Sequence, residues 1–481
     1  MATPSESQDT KAQKLVVIYA PPVMISHLFS LVDLGELLAA HNLEVAIVLG
    51  GRTDDMAAGG DAAAGSFAQG LAAAHPQLSF HCLPYITRPR EPAHDYVVQT
   101  FELARASNSD LREFLRAATP SPAALVLDFF CGSAVDVGAE LGIPTYFFFT
   151  SSISGLAELL YHPLIHEQTS ISLRHLGGEL LHVLGIAPIP VDDLPAAYQD
   201  RDSLGNRLFL ALSEQMCNSH GLIVNSFRSL EPRATDAIVA GLCTPPGRRT
   251  PPLHCIGPVI KPLEEVGAKG HECLVWLDAQ PEASVVFLCF GSMGRFSAEQ
   301  TRHVARGLEM SGQRFLWVVR RPPGGEEDGQ KPDDGHDALL PEGFLERTKG
   351  KGLVVEAWAP QRKVLAHGAV GGFVTHCGWN SVLEAIMGGV LMLAWPMYAE
   401  QRMNKVFLVE DLRLAVAVEG YDKEIVKDEE VAAKVKWLME SDGGRELRER
   451  TRAAMRKAME ALSDSGESST ALLELVRQWK M

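Results

Sequence analysis

Between positions 358 and 401 the chain reads WAPQRKVLAHGAVGGFVTHCGWNSVLEAIMGGVLMLAWPMYAEQ, and its polar residues gather where apolar runs stop. Residues 372–375 form a short apolar run of the kind found in buried parallel strands, and Val382, Leu383 and Ile386 follow Asn380 at helical spacing. A strand feeding a helix start makes an anion site. The first-turn N–H groups lack intrahelical partners, the helix dipole is positive there, and Gly378 lets backbone come close. His376, Asn380 and Ser381 crowd the same turn as further donors, while Glu384, one turn on, can accept from ribose hydroxyls. The run 390–395 stops at Pro396, after which Glu400 and Gln401 present a carboxylate and an amide, a pair suited to sugar hydroxyls. Ser381 and Glu384 also spell an S-x-x-E capping box, Asn380 could be a plain cap, and His376 or Trp358 alone could be packing residues. Position favours the ligand roles, because every one of these groups follows the C-terminal end of an expected strand, the edge where open α/β sheets bind ligands.

Proton transfer from a hydroxyl near neutral pH calls for histidine. Of 16 histidines, His27 lies just past the first expected strand at the opening of the first helix, and Asp128 ends another expected strand on the same edge. A carboxylate there could bond one imidazole nitrogen, fix the tautomer and stabilise the imidazolium. Taken alone, His27 could cap a helix and Asp128 could end a strand. Together with the nucleotide window they read as a base and its orienting acid.

The elements that must position these groups alternate from the start. Strands are expected at 14–20, 43–49, 124–127, 144–149 and 222–225, with helices at 27–40 and 135–141 and helical spacing over 102–118. A loop and helix are expected over 56–74. Residues 169–203, broken by Pro188, Pro190 and Pro195, read as an excursion on the acceptor side. The proline-rich CTPPGRRTPPLHCIGP is the expected linker. Beyond it, strands are expected at 284–290, 314–319, 353–355, 372–375 and 390–395, with helical spacing after 431, so parallel, doubly wound packing is implied. Residues 322–338, charged and full of helix breakers, read as a mobile surface loop.

Composition narrows the class. A chain of 481 residues with 46% apolar content and mean hydropathy near zero predicts two globular domains. A net charge of −16 argues against a sequence-independent grip on nucleic acid or anionic membrane, so an anionic nucleotide must be held by local donors. The polar N-terminus and the short run LVVIYA suit neither a signal peptide nor a membrane span, and cytoplasmic residence is the default expectation. Eight scattered cysteines without a C-x-x-C pair read as reduced packing thiols. No G-x-G-x-x-G follows the first strand and no P-loop motif occurs. Nothing like a D-x-D metal pair lies near the window, although Asp54-Asp55 and Asp192-Asp193 occur elsewhere, so no metal or cofactor is expected.

The 358–401 window resembles, without a gap, the donor-binding signature of plant UDP-dependent glycosyltransferases, the family-1 enzymes of secondary metabolism. That resemblance implies the α/β GT-B fold: two facing Rossmann-like domains, here residues 1–250 for the acceptor and 251–465 for the UDP-sugar, with a last helix, 466–481, returning to the first. It implies that Trp358 stacks on uracil, that Ala359 pairs with the base through its backbone, and that Gln361 contacts the nucleoside. His376, Asn380 and Ser381 would hold the phosphates and Glu384 the ribose, while Trp379, Glu400 and Gln401 would face the sugar. Gln at the closing position goes with glucose in this family, and His with galactose. His27 in ISHLFSLVDLGELL and Asp128 in LDFFCGSAVDVGAELGIP fall where the family has its base and orienting acid. Thr150 matches a position near the sugar, Ser292 a phosphate contact, and Ala399 together with His27 is assigned to the acceptor side. Many members carry glycine where this chain has Ser26, which could cap the helix and reshape the acceptor pocket.

The implied reaction is a direct displacement. His27 deprotonates an acceptor hydroxyl, the oxygen attacks C1 of UDP-glucose and inverts it, and UDP leaves. The partners expected are UDP-glucose and a small phenolic, flavonoid-like acceptor, with no nucleic acid, no membrane span, and a monomeric chain. Fold does not fix function, so a sugar-nucleotide binding protein without transfer and an epimerase of the same plan stand as alternatives.

Overall fold

The computed structural model describes residues 13–21, 25–51, 61–84, 86, 95–260, 271–321 and 339–481. The expected surface loop at 322–338, Asp54-Asp55 and the first twelve residues lie outside the described part.

The first sheet is built from β1 (Leu15–Ala20), β2 (Glu44–Leu49), β3 (Ser79–Cys82), β4 (Ala124–Asp128) and β5 (Thr145–Phe149). A two-stranded antiparallel hairpin, β6 (Leu180–Leu181) and β7 (Ile189–Pro190), comes next in the chain, and β8 (Gly221–Val224) and β9 (Leu253–Cys255) then complete the first sheet. Its order is β3-β2-β1-β4-β5-β8-β9. The second sheet comprises β10 (Val285–Cys289), β11 (Arg314–Val319), β12 (Gly352–Glu356), β13 (Val370–Thr375), β14 (Leu391–Ala394) and β15 (Ala415–Ala417), in the order β12-β11-β10-β13-β14-β15. Within each sheet the pairings flanking the switch are parallel: β1 with β2 and β4, and β10 with β11 and β13. Both sheets run outward in two directions from a central pair, β1 and β4 in one and β10 and β13 in the other, the doubly wound order whose reversal opens a crevice at the strands' carboxyl ends.

The sequence pattern accounts for the layering. Strands buried on both faces read as continuous apolar runs, as LVVIYA in β1 does. In β10 and at Phe290 just after it, the period of two divides the side chains, with Val285, Phe287 and Cys289 in the core on one face of the sheet and Val286, Leu288 and Phe290 in that on the other. All eight cysteines are free and seven are buried, in keeping with packing thiols.

By compactness the chain falls into two units. One comprises the chain up to Phe148 with Glu214–Ile223 and Leu472–Met481, the other Phe149–Ser213 with Val224–Ala471. In the first, the end of the last helix is secured by Trp479, whose ring meets Tyr146 edge-on at 5.2 Å, and by Lys480, whose Nζ donates to the His41 carbonyl at 2.7 Å.

Three expectations need correction. The helical stretch expected over 102–118 is two helices, Tyr96–Ala106 and Asn108–Ala117, with Ser107 ending one and opening the other. The proline-rich linker contains β9. Ser26 lies inside the first turn of the helix Ile25–Ala39 and so does not precede it as a cap.

The excursion 169–203 is secured within the second unit by a buried ion pair. Lys405 Nζ lies 2.7 Å from Asp193 Oδ2, and the Tyr421 hydroxyl donates to Asp193 Oδ1, also at 2.7 Å. Lys405 also lies 4.5 Å from the centroid of the Tyr421 ring. Removing one partner strands the other charge, at a typical cost of about 3–5 kcal/mol. Asp193→Ala is therefore expected to lower the urea unfolding midpoint sharply, and adding Lys405→Met to recover most of the loss. No recovery in the double variant would show that the aspartate acts through something other than the ammonium.

Candidate active site

At the switch point of the first sheet, His27 stands in the first turn of the helix after β1 and Asp128 ends β4. The imidazole Nδ1 lies 2.7 Å from Asp128 Oδ2, and Asp128 Oδ1 accepts from the Phe130 N–H at 2.9 Å. Asp128 is fully buried and His27 keeps 16% of its side chain exposed. A carboxylate can only accept, so this pairing places the proton on Nδ1 and leaves the Nε2 lone pair as the basic site. The rings of Phe129 and Phe130 lie 5.2 and 5.4 Å from the imidazole, giving it an aromatic wall.

The second sheet has its own switch point, between β10 and β13, and there a helix start stands where an anion could be received. The helix Trp379–Gly388 starts from Gly378, which offers no side chain to cap its first N–H groups. Ser381 and Glu384 are not a capping box. Instead Gln361 Nε2 donates to Ser381 Oγ at 2.8 Å and to Glu384 Oε2 at 2.7 Å, and Arg362 Nε donates to Glu384 Oε1 at 3.0 Å. His376 sits between two glycines. A Cβ on either Gly291 or Gly378 would stand 2.5 Å from its Nε2, and Gly291 has the positive φ, +74°, that glycine adopts without strain. Burial pushes the pKa of His376 down from 6.5 to about 4, and the Arg320 charge adds to the effect. The ring is thus a neutral donor at neutral pH.

Three non-glycine residues at the rim adopt the left-handed conformation: Ala357 after β12, Cys377 after β13 and Ala399 after β14, with φ of +62°, +66° and +53°. Such residues cost of order 1–3 kcal/mol each and gather at functional sites. Ala357 precedes Trp358, which is 61% exposed and whose ring centroid lies 5.4 Å from that of His271. Ala359 is buried and its carbonyl accepts from the Gln361 N–H at 2.8 Å. Cys377 is held by its own N–H on Thr375 Oγ1 at 3.1 Å and by Asn404 Nδ2 on its carbonyl at 3.0 Å. Ala399 itself is exposed.

After β14, Gln401 Oε1 accepts from the Met397 and Tyr398 N–H groups, both at 3.0 Å, which leaves Nε2 as the donor side of that amide. Glu400 Oε1 accepts from Ser151 Oγ and Asn404 Nδ2, each at 3.4 Å, next to buried Thr150. Trp379 is buried and its Nε1 donates to the Asn225 carbonyl at 2.8 Å, so the indole N–H is committed to the protein. Ser292 is exposed after β10, and its carbonyl accepts from Arg320 Nη1.

The sequence reading missed Arg320, Arg362 and Asn404. Arg320 had a signal, since it directly follows a strand expected at 314–319, on the edge used for every other site residue. Arg362 and Asn404 act on neighbours in space that spacing does not reveal. Among the described residues no group of three or more His, Cys, Asp or Glu could hold a metal ion, and no helix is long and apolar enough to cross a membrane.

Two doubly wound units, one carrying a histidine–carboxylate pair and the other a helix that starts from a glycine at the sheet's switch point, define a GT-B glycosyltransferase. The family model "UDP-glucoronosyl and UDP-glucosyl transferase" matches residues 257–442. The chain is 42% identical over 478 residues to anthocyanidin 5,3-O-glucosyltransferase of a Rosa hybrid cultivar, covering 97% of this chain and 98% of that one. It is 44% identical to UDP-glycosyltransferase 1 of Pueraria montana var. lobata, covering 94% and 97%. Among solved structures, that of Phytolacca americana UGT2 complexed with UDP-2fluoro-glucose and pterostilbene matches with a TM-score of 0.86 at 34% identity, covering 97% of this chain and all of that one. The chain belongs to the UDP-glycosyltransferase family and is a glycosyltransferase.

The lowered pKa of His376 has a consequence for stability. As pH falls, the unfolded chain takes up the proton near 6.5 while the folded chain resists until about 4. The stabilisation is therefore complete above pH 6.5 and is lost between 6.5 and 4, for a total of about 3 kcal/mol. His376→Gln, which cannot titrate, is expected to show a urea midpoint that falls less than the parent's over that range; equal falls would place the titrating group elsewhere.

Proposed function

We propose that the protein transfers glucose from UDP-glucose to a hydroxyl of a small phenolic, flavonoid-like acceptor, with inversion at C1. The observation that carries this reading is the His27–Asp128 pair, a tautomer-fixed imidazole with aromatic rings beside it. Its Nε2 takes the proton of the acceptor hydroxyl, Asp128 stabilises the imidazolium, and the oxygen attacks C1 from the face opposite UDP. One displacement inverts the centre. A binding protein without transfer has no use for such a base, and an epimerase would need no acceptor.

In this reading the donor lies along the second sheet's edge. Trp358 stacks on uracil with Ala359 and Gln361 beside it, and Glu384 accepts from the ribose. His376, Asn380, Ser381 and Ser292 meet the diphosphate, and Thr150, Trp379, Glu400 and Gln401 the glucose. The charge that gathers on the leaving UDP is met by donors already in place: the uncapped first turn, neutral His376 and the Arg320 charge. Acceptor binding is assigned to residues 1–250, His27 included, together with Ala399, and donor binding to 251–465, with 466–481 returning to the first part. Two similar proteins support the acceptor class, since one is named for anthocyanidin and the solved one is complexed with pterostilbene.

The test is incubation with UDP-glucose and a panel of phenols, with mass spectrometry for hexose addition. His27→Ala is expected to keep its affinity for UDP and to lose about 10²–10⁴-fold in kcat/KM. Asp128→Asn, which leaves the imidazole free to take the wrong tautomer, should lose about 10³–10⁴-fold. Turnover of His27→Ala at the parent's rate would remove the base assignment. For the donor, UDP-glucose should be used in preference to UDP-galactose and UDP-glucuronic acid; a galactosyl or glucuronosyl preference would overturn the role given to Gln401.

A further inference from the structure

Which way round the side-chain amide of Asn380 points decides what it can offer an anion, because its Nδ2 donates and its Oδ1 would repel. A neighbour settles that orientation. Asn225, buried directly after β8, accepts the Val259 backbone N–H on Oδ1 at 2.6 Å. A backbone N–H can only donate, so the atom facing it must be oxygen, and the opposite side of the Asn225 amide must be Nδ2. That Nδ2 lies 3.3 Å from Asn380 Oδ1. The chain of polarity runs in one direction, from Val259 N–H through the Asn225 amide to the Asn380 carbonyl oxygen, and leaves Nδ2 as the other end of the Asn380 amide. The Asn225 carbonyl also accepts from Trp379 Nε1 at 2.8 Å, which fixes the first residue of the same helix.

We infer that Asn225 is a positioning residue that turns the donor end of Asn380 toward the diphosphate of the sugar nucleotide. This rests on the reading of Asn380 as a phosphate donor. Asn225 lies 133 positions before the nucleotide window begins and, on this account, acts without touching the ligand. Its contribution is to keep the amide in the one rotamer that offers a donor, so that no fraction of the protein presents oxygen to oxygen.

Asn225→Asp separates the roles, because it keeps an acceptor for Val259 N–H and removes the donor to Asn380. The introduced carboxylate favours the flipped Asn380 amide. Titration calorimetry is expected to show affinity for UDP weakened by at least about tenfold, with affinity for uridine, which has no phosphate, unchanged. Asn380→Ala supplies the control. In that background Asn225→Asp should weaken UDP binding no further, whereas an effect of the same size in both backgrounds would mean that the added charge acts directly, and the inference fails. Should Asn225→Asp not fold, Asn225→Ala removes the donor that holds Asn380 Oδ1, and UDP affinity should fall about twofold, again only when Asn380 is present. Unaltered UDP affinity in the folded variant overturns the positioning role. Absence of UDP binding by the parent protein would overturn the donor reading itself, a separate and recognisable outcome.

Discussion

A diphosphate must be received by a chain whose net charge is −16, so binding cannot depend on a general positive field. The donors have to be local and aimed beforehand. The candidate site of the second unit offers backbone and neutral groups more than charge: a helix start at a glycine, a buried imidazole kept neutral by desolvation, and the nearby Arg320 guanidinium. Each of these costs stability in the empty protein. A buried imidazole that resists protonation and left-handed backbone at Ala357, Cys377 and Ala399 are features that folding alone would remove. They persist because rigid strands hold them and because the buried core on both faces of the sheet supplies the stability they forgo.

Amide polarity is the second device. An Asn or Gln side chain has an acceptor end and a donor end, and a site needs to know which is presented. Gln401 is oriented by two backbone N–H groups on its Oε1, and Asn225 by one on its Oδ1. Glu384 is treated differently. Gln361 bonds one of its oxygens and Arg362 the other, so an amide and a guanidinium together hold the carboxylate in place.

Much of this was legible in the sequence because parallel strands buried on both faces leave continuous apolar runs. The strands expected at 14–20, 314–319 and 372–375 correspond to β1, β11 and β13 to within two residues, and the helix expected at 135–141 has those bounds in the structure. Short strands defined by their partners were not legible. β9 is three residues of a proline-rich stretch and β15 is likewise three residues, too few for any period to show. At the site, Ser381 and Glu384 satisfied a local motif that the structure does not use, because their partners Gln361 and Arg362 lie about twenty residues away in sequence. Contacts of that kind are fixed by the order of strands in the sheet, which the spacing of residues within one window does not contain.

The two histidines show how environment, and not residue type, assigns the role. Both follow strands at a switch point, His27 after β1 and His376 after β13, in sheets of the same winding order. Right-handed crossovers produce that order from unrelated sequences, so the shared position needs no repeat in the chain. What differs is the neighbour. His27 keeps part of its ring exposed and faces a buried carboxylate, so a proton arriving on Nε2 creates a charge that Asp128 is placed to balance. His376 is enclosed by glycines, with a guanidinium charge acting on it and no carboxylate partner among the described residues, so a second proton is disfavoured and the ring remains a donor of its one N–H. Exchanging the neighbours would exchange the chemistry: a carboxylate beside His376 would pull it toward the imidazolium and compete with the phosphates for it, while removal of Asp128 would leave His27 with neither a fixed tautomer nor a counter-charge.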